Sequence, residues 1–356
     1  VSRYSALAEE SEEAIRVGRE ALAMAEALGL DEIRAHALDN IGIGKFNLGD
    51  LTSLDDLEQS IEIALAARSP EAARAYNNLG AFVWQLGDFR RACALIDEAV
   101  AVGERLGNAA VAKYSRILQI QQLFGKGEWD EALHRADAFL AACEAGEPHY
   151  LESGIRQDRA AARLARDDLE GALEDLAKML GPARDAGDPQ ALVPALVGAA
   201  RLHVEAGRVD EAKSLAREAL AQAPASYSLA DLAWVAAELD CAPELLERLE
   251  RIPLQTKWGD ATRALLQRDF ARADRELGQT LDLLLSLPPH LTVAHALAAA
   301  AVAHLLRGPE TRLEPWLARY GTFFEVVENA AFCRHAREWM AAARWDTSHR
   351  RRPCCW

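Results

Sequence analysis

The sequence predicts an all-α solenoid of helix-turn-helix repeats about 40 residues long, and three observations carry that reading. Alanine and leucine supply most of the apolar content, mixed with Glu and Arg, residues that lose little rotamer freedom in a helix. Alternating runs rich in Val, Ile or Thr are nearly absent, which argues against a sheet. The third observation is a phrase that recurs along the chain: a turn, an acidic residue, an apolar residue, two variable residues and then alanine.

In chain order the phrase begins at Glu9-Glu10-Ser11-Glu12-Glu13-Ala14. It returns as Gly87-Asp88-Phe89-Arg90-Arg91-Ala92, Gly127-Glu128-Trp129-Asp130-Glu131-Ala132 and Asp167-Asp168-Leu169-Glu170-Gly171-Ala172. Gly207-Arg208-Val209-Asp210-Glu211-Ala212 and Arg268-Asp269-Phe270-Ala271-Arg272-Ala273 follow. The turns fall at 9, 49, 87, 127, 167, 207, 268 and 308, spaced by 40, 38, 40, 40, 40, 61 and 40 residues. The gap of 61 leaves room for one degenerate repeat around Ala230 to Leu249, and the 38 reflects a deletion near Ser53 with a compensating adjustment upstream.

Each turn lies between two amphipathic runs, such as Ala75 to Leu86 and Phe89 to Leu106. Gly49, Gly87, Gly127 and Gly207 sit where a helix must stop, and glycine takes the left-handed conformation there cheaply. The acidic residue after the turn is placed to cap the next helix at its positive end. The alanines at 14, 92, 132, 172, 212 and 273 mark where two helix axes approach closely, with Ala21, Ala99 and Ala219 one heptad on. No single hairpin buries both faces, so stability is a nearest-neighbour sum over the stack.

Composition narrows the function. The chain has 356 residues, half of them hydrophobic, and a formal net charge of −15. A dedicated nucleic-acid domain normally shows a basic face, so no nucleic-acid partner is expected, nor docking on an anionic membrane. Cys93, Cys143, Cys241 and Cys333 are scattered through helical segments, away from Cys354 and Cys355, and read as small core residues in a reducing cytoplasm. Val1-Ser2-Arg3-Tyr4 has no signal-peptide character. The most apolar run, Leu291 to Leu306, contains His295 and His304 and is too short to span a bilayer. The expectation is a cytoplasmic protein.

The pair Asn77-Asn78-Leu79-Gly80 and Leu86-Gly87-Asp88-Phe89 resembles the tetratricopeptide repeat (TPR), as does Asp39-Asn40-Ile41-Gly42 with Leu48-Gly49-Asp50-Leu51. The resemblance is strong from Ala35 to Gly103, fair to Leu220 and weak beyond. It departs from the family in three ways. The standard repeat has 34 residues; here extra residues sit at joins such as Arg68-Ser69-Pro70 and Leu106-Gly107-Asn108. The closing proline is mostly missing, and the aromatic after Leu-Gly falls one residue late, at Phe46 and Trp84. The resemblance implies a right-handed α-α superhelix of about eight to nine hairpins over residues 1–346, clear in 1–220 and degenerate in 221–346, followed by a disordered tail at 347–356. The long repeats rich in Ala, Arg and Glu resemble the C-terminal TPR region of bacterial LuxR-type activators and of adenylate cyclases with an AAA-type ATPase module. That likeness implies a sensor or docking arm beside an ATPase or cyclase module.

Several local patterns invite chemistry that the spacing refuses. Gly42-Ile43-Gly44-Lys45 has Asp39 and Phe46 where a P-loop needs Gly and Ser or Thr, and no strand precedes it. His290, His295 and His304 lack the four-residue spacing of a zinc helix, and Cys333 and His335 point to different faces. Asp55-Asp56 and Asp167-Asp168 fall at turns or exposed faces, where capping suffices. The tail His349-Arg350-Arg351-Arg352-Pro353-Cys354-Cys355-Trp356 reads as a disordered end, with a membrane- or nucleic-acid-sticky end as the alternative. No enzyme, cofactor or metal is expected.

The expected function is therefore protein or peptide binding on the concave face built by the first helix of each hairpin. By resemblance, Asn40 and Asn78 bond a ligand's backbone, an amide being donor and acceptor at once; bonding to neighbouring helices is the alternative role. Arg74, Asn77, Trp84 and Gln85 share that face, Tyr114 and Gln121 follow in the next repeat, and Gln157 and Arg201 extend it. Three functions fit: the arm of a signalling regulator, a free-standing adaptor, and, least favoured, an enzyme on a helical toroid.

Overall fold

The computed structural model describes residues 11–276 apart from 87, 127, 188, 223–226, 235, 252–256, 270 and 274. The turn expected at 308, the histidines at 290, 295 and 304, Cys333, His335 and the 347–356 tail lie outside the described residues. Among the described residues every regular element is a helix. The chain divides into two compact units between Gln122 and Leu123.

The first unit opens with α1 (Ser11–Leu28) and α2 (Asp31–Asn47), followed by α3 (Ser53–Ala66), α4 (Glu71–Gln85), α5 (Phe89–Arg105) and most of α6 (Ala109–Lys126). Each of α1 to α4 packs on the next, and α2 also touches α4, so the first helices of successive hairpins meet. Acidic residues gather at helix starts, as in Glu12 and Glu13 of α1 or Asp55 and Asp56 of α3, where they favour the exposed N–H groups.

The sequence phase holds in the core. Ala14, Ala92, Ala132, Ala172, Ala212 and Ala273 are each at most 1% exposed. Ala99 and Ala219 are equally buried, but Ala21 is not. Two glycines of the rejected P-loop segment explain themselves as packing. A Cβ on Gly42 would lie 2.9 Å from Leu57 Cγ and 3.0 Å from the Ser53 carbonyl oxygen of α3. One on Gly44 would lie 2.8 Å from Ile15 Cγ1 and 2.9 Å from the Ser11 carbonyl oxygen of α1. Thus α2 is clasped on two sides through positions that hold no side chain. Between these contacts Phe46 stacks on Phe82 of α4, with centroids 3.9 Å apart.

Left-handed residues punctuate the chain in two series. Within hairpins they are Gly49 (φ 81°), Asp167 (φ 65°), Gly207 (φ 76°) and Arg268 (φ 63°). Between hairpins they are Gly29, Arg68, Gly107, Gly146 and Gly187, spaced by 39, 39, 39 and 41 residues. Arg68 (φ 53°) and Asp167 hold this conformation with a Cβ, at a cost of about 1 kcal/mol each. The expected acidic caps form at three aspartates. Asp88 accepts from Arg91 N at 3.1 Å, Asp168 from Gly171 N at 2.9 Å and Asp269 from Arg272 N at 3.1 Å. Glu128, one methylene longer, makes no side-chain cap.

The second unit contains α7 (Trp129–Glu144), α8 (Glu152–Ala165), α9 (Leu169–Ala186), α10 (Pro189–Glu205) and α11 (Val209–Gln222). The pairs α8–α9 and α10–α11 are its main hairpins. Trp129 is buried, and its Nε1 donates to the Phe124 carbonyl at 2.9 Å, which holds the turn before α7. Where the sequence leaves the 61-residue gap, the regular pattern breaks into a 3₁₀ helix (Tyr227–Trp234), α12 (Ala236–Leu239) and α13 (Ala242–Glu250), then α14 (Lys257–Leu266). Asp240, at φ 54°, supplies the missing turn, and Pro243 restarts the helix.

Candidate partner-binding face

Alpha-helix 4 (Glu71–Gln85) shows how the repeat divides its surface. Its outward ridge runs through Glu71, Arg74, Asn78, Ala81 and Gln85, at i, i+3, i+7, i+10 and i+14, all half-buried or exposed. Between them Ala72, Ala73, Ala75, Asn77, Leu79, Gly80, Phe82 and Val83 are buried. Asn77 and Asn78 are neighbours in sequence and part company in space. Asn77 turns inward and accepts from the Ser115 hydroxyl of α6 at 2.9 Å. Asn78 stands on the ridge.

The ridge meets α2 at Asp39, a carboxylate 1% exposed. Arg74 Nη1 lies 3.0 Å from Asp39 Oδ2, and Asn78 Nδ2 donates to both Asp39 oxygens at 2.9 and 3.0 Å. Arg74 Nε reaches Glu71 at 2.7 Å, and His36 Nδ1 lies 3.6 Å from the same Glu71 oxygen. A buried carboxylate needs such partners, since an unmatched one is costly. Two polar atoms here keep no partner: Arg74 Nη2, a donor, and Asn40 Oδ1, an acceptor. Asn40 is 2% exposed, so it lies deeper than Asn78, its counterpart in the next repeat.

The other expected residues take varied places. Trp84 is half-buried and meets Phe89 edge-on at 4.6 Å, off the ridge, while Gln85 is exposed at its end. Tyr114 and Gln121 are half-buried on one face of α6, and burial raises the Tyr114 pKa. Gln157 and Arg201 belong to the second unit. The Gln157 amide lies over Gly198 of α10, and Arg201 reaches Asp231 at 3.4 Å. The structure thus gathers Arg74 and Asn78 around one carboxylate. Asp39, the hub, was not read from the sequence, although its signal was there: it replaces the first asparagine of the Asn-Asn pair.

A second polar cluster was also missed. On α8, Arg156, Arg159 and Arg163 stand three and four residues apart on one face. They converge on Asp175 of α9, which has no exposure. Arg159 binds it through two nitrogens at 2.5 and 2.9 Å, Arg163 at 2.9 Å, and Arg156 lies 3.7 Å away. Burial works against the Arg159 charge, but the bonded Asp175 outweighs it and holds the Arg159 pKa above its ordinary value. Glu152 takes Arg156 at 2.8 Å, and Asp137 takes Arg159 at 2.6 Å. Among the described residues no group of three or more His, Cys, Asp and Glu is placed to hold a metal ion. Nor, among them, is any helix long and apolar enough to cross a membrane.

Fold and site together define a helical-repeat protein whose first helices present a polar ridge. No family model matches the chain, and no curated relative matches it. Among solved structures it is similar to a circular tandem repeat protein with novel repeat topology and enhanced subunit contact surfaces, at 15% identity and a TM-score of 0.24, over 94% of this chain and 89% of that one. A likeness at that score carries nothing about fold or function.

Proposed function

We propose that the ridge of α2, α4 and α6 in the first unit is a non-catalytic docking face for a protein or an extended peptide. The observation that carries this reading is the unmatched donor Arg74 Nη2 on the ridge, with the unmatched acceptor Asn40 Oδ1 buried on the adjoining α2. A buried polar group without a partner costs about 1–3 kcal/mol, and a peptide backbone offers both complements. Arg74 keeps part of its side chain at the surface, so a modest rotation presents the guanidinium to a ligand. The TPR-like motifs at Asp39-Asn40 and Asn77-Asn78 support the same face, and the long-repeat style supports a role as the sensor or docking arm of a bacterial signalling regulator.

The test is selection of a random peptide library against the full chain. Selected peptides are expected to lose binding to an Arg74→Ala/Asn78→Ala variant and to keep it with Arg90→Ala, an exposed change on α5. Binding indifferent to the ridge variant would refute the assignment.

A further inference from the structure

The charge of Arg74 is already answered within the fold. Its Nη1 lies 3.0 Å from Asp39 Oδ2 and its Nε 2.7 Å from Glu71 Oε2, so one guanidinium faces two carboxylates. The two differ in access: the Asp39 side chain is 1% exposed and that of Glu71 22%. His36 Nδ1 lies 3.6 Å from the same Glu71 oxygen, so a proton on His36 would also answer Glu71. With that imidazole neutral, the two carboxylates outnumber the guanidinium.

The surroundings have the same sign. Residues 11–122 hold 17 Asp and Glu against 11 Lys and Arg, so the first unit attracts no anion through its overall field. On α2, Glu32 is exposed one turn before His36, and Arg34 pairs with Asp31 at 2.6 Å. Beyond Arg74 the ridge of α4 runs through Asn78, Ala81 and Gln85, and that of α6 through Tyr114 and Gln121, all uncharged. What Arg74 still offers is a directed donor rather than a free charge: no acceptor takes Nη2. Carboxylate and carbonyl ligands part at this point. A carboxylate or phosphate brought to Nη2 would stand against Asp39 and Glu71, and like charges close together in a poorly solvated seam oppose binding. A peptide or amide carbonyl accepts the same N–H without adding charge.

Resting on the docking face proposed for this ridge, we infer that it selects a neutral acceptor at Arg74. The ligand is an extended peptide that presents a main-chain, Asn or Gln carbonyl there. Asp, Glu, a phosphorylated residue or a C-terminal carboxylate is rejected at that place. Glu71 sets the choice. It is the more exposed of the two carboxylates, and Glu71→Gln removes its charge while keeping an oxygen for Arg74 Nε. Asp39 stays paired with Arg74 and Asn78 in that variant.

Capture from two synthetic peptide pools on the immobilised full chain tests this, at about pH 8, above the ordinary histidine range. The pools have equal length and matched sequences. One carries Asn and Gln with amidated ends; in the other every Asn and Gln is Asp and Glu and the ends are free. Only peptides lost on Arg74→Ala/Asn78→Ala are scored. The wild type should favour the amide pool by about tenfold or more, and Glu71→Gln, with an unchanged circular dichroism spectrum, should narrow that ratio. Equal or better capture from the acidic pool overturns the inference and leaves the docking face standing, as does a ratio that Glu71→Gln does not move. If neither pool yields a ridge-dependent peptide, the docking face falls and the inference with it.

Discussion

Replacing Asp175 tests whether the second unit is held by its buried charges. Among the described residues, Asp175→Ala removes the one carboxylate that Arg156, Arg159 and Arg163 all approach. Breaking a buried ion pair from one side costs about 3–5 kcal/mol, because the remaining charge stays in a poor solvent. Here the arginines keep some relief: Arg156 on Glu152, Arg159 on Asp137, and Arg163 on the Gly171 carbonyl at 3.0 Å. The loss should therefore fall near the lower figure, about 3 kcal/mol. With a urea m-value of about 1–3 kcal/mol/M, the midpoint of the second unit should fall by about 1–3 M. Urea unfolding followed by hydrogen exchange and mass spectrometry separates the units, and peptides of the first unit should not move. Glu174→Ala, a neighbouring exposed carboxylate paired with Lys178, is the control and should stay within about 0.5 kcal/mol. A loss below about 1 kcal/mol for Asp175→Ala would refute the reasoning, since it would mean that the guanidiniums are as well placed without their common partner.

Other expectations follow from single contacts. Gly42→Ala pushes a Cβ against Leu57 and the Ser53 backbone and should destabilise by about 1–3 kcal/mol, read by chemical denaturation. Gly181→Ala, in α9 with nothing within 4 Å, should instead gain about 0.5–1 kcal/mol from helix propensity. Asp88→Ala should lose about 1 kcal/mol with the cap it gives Arg91 N, and Asp88→Asn should recover most of it. Burial lowers the His203 pKa from its ordinary 6.5, so the unfolded chain takes up the proton more readily. Its stabilisation is complete above pH 6.5 and is lost as the pH falls below that value. His203→Phe should flatten that acid-side slope in the second unit's urea midpoints.

The repeat was legible because it is written in residues whose roles are local. A left-handed turn, a cap and a small residue each act within one or two helices, so the spacing of Ala92, Ala132 and Ala172 predicts their burial directly. The break after α11 was legible as a gap, but its filling by a 3₁₀ helix and the turn at Asp240 was not, since a degenerate repeat keeps its place in the stack without its phrase. The joins at Arg68-Ser69-Pro70 and Leu106-Gly107-Asn108 were legible as extra residues, but their left-handed residues were not read as a second series, because Arg68 interrupts the glycines at 29, 107, 146 and 187. The candidate site was read in part. Arg74 and Asn78 share a face by helical spacing, but their common partner Asp39 lies 35 and 39 residues upstream on another helix. Arg156, Arg159 and Arg163 look like a solvated stripe when α8 is read alone. Only α9, by placing Asp175 against them, turns that stripe inward.

Those two clusters suggest a division of labour between the seams of the stack. Alanine and glycine let backbones close up but say little about register, because a small smooth surface slides with little penalty. Asp39 with Arg74 and Asn78, Asn77 with Ser115, and Arg159 with Asp175 do the opposite: each satisfies its partner in one alignment only, and a slip of one residue would strand a buried charge or amide. The same groups are the ones a ligand would want. At Asp175 the unmatched donor, Arg156 Nη1, belongs to a side chain only 2% exposed, so that cluster serves the fold and has nothing within a ligand's reach. At Arg74 the unmatched donor sits on a side chain that keeps 14% of its surface exposed, and that difference in access separates the ridge of the first unit from the arginine cluster of the second.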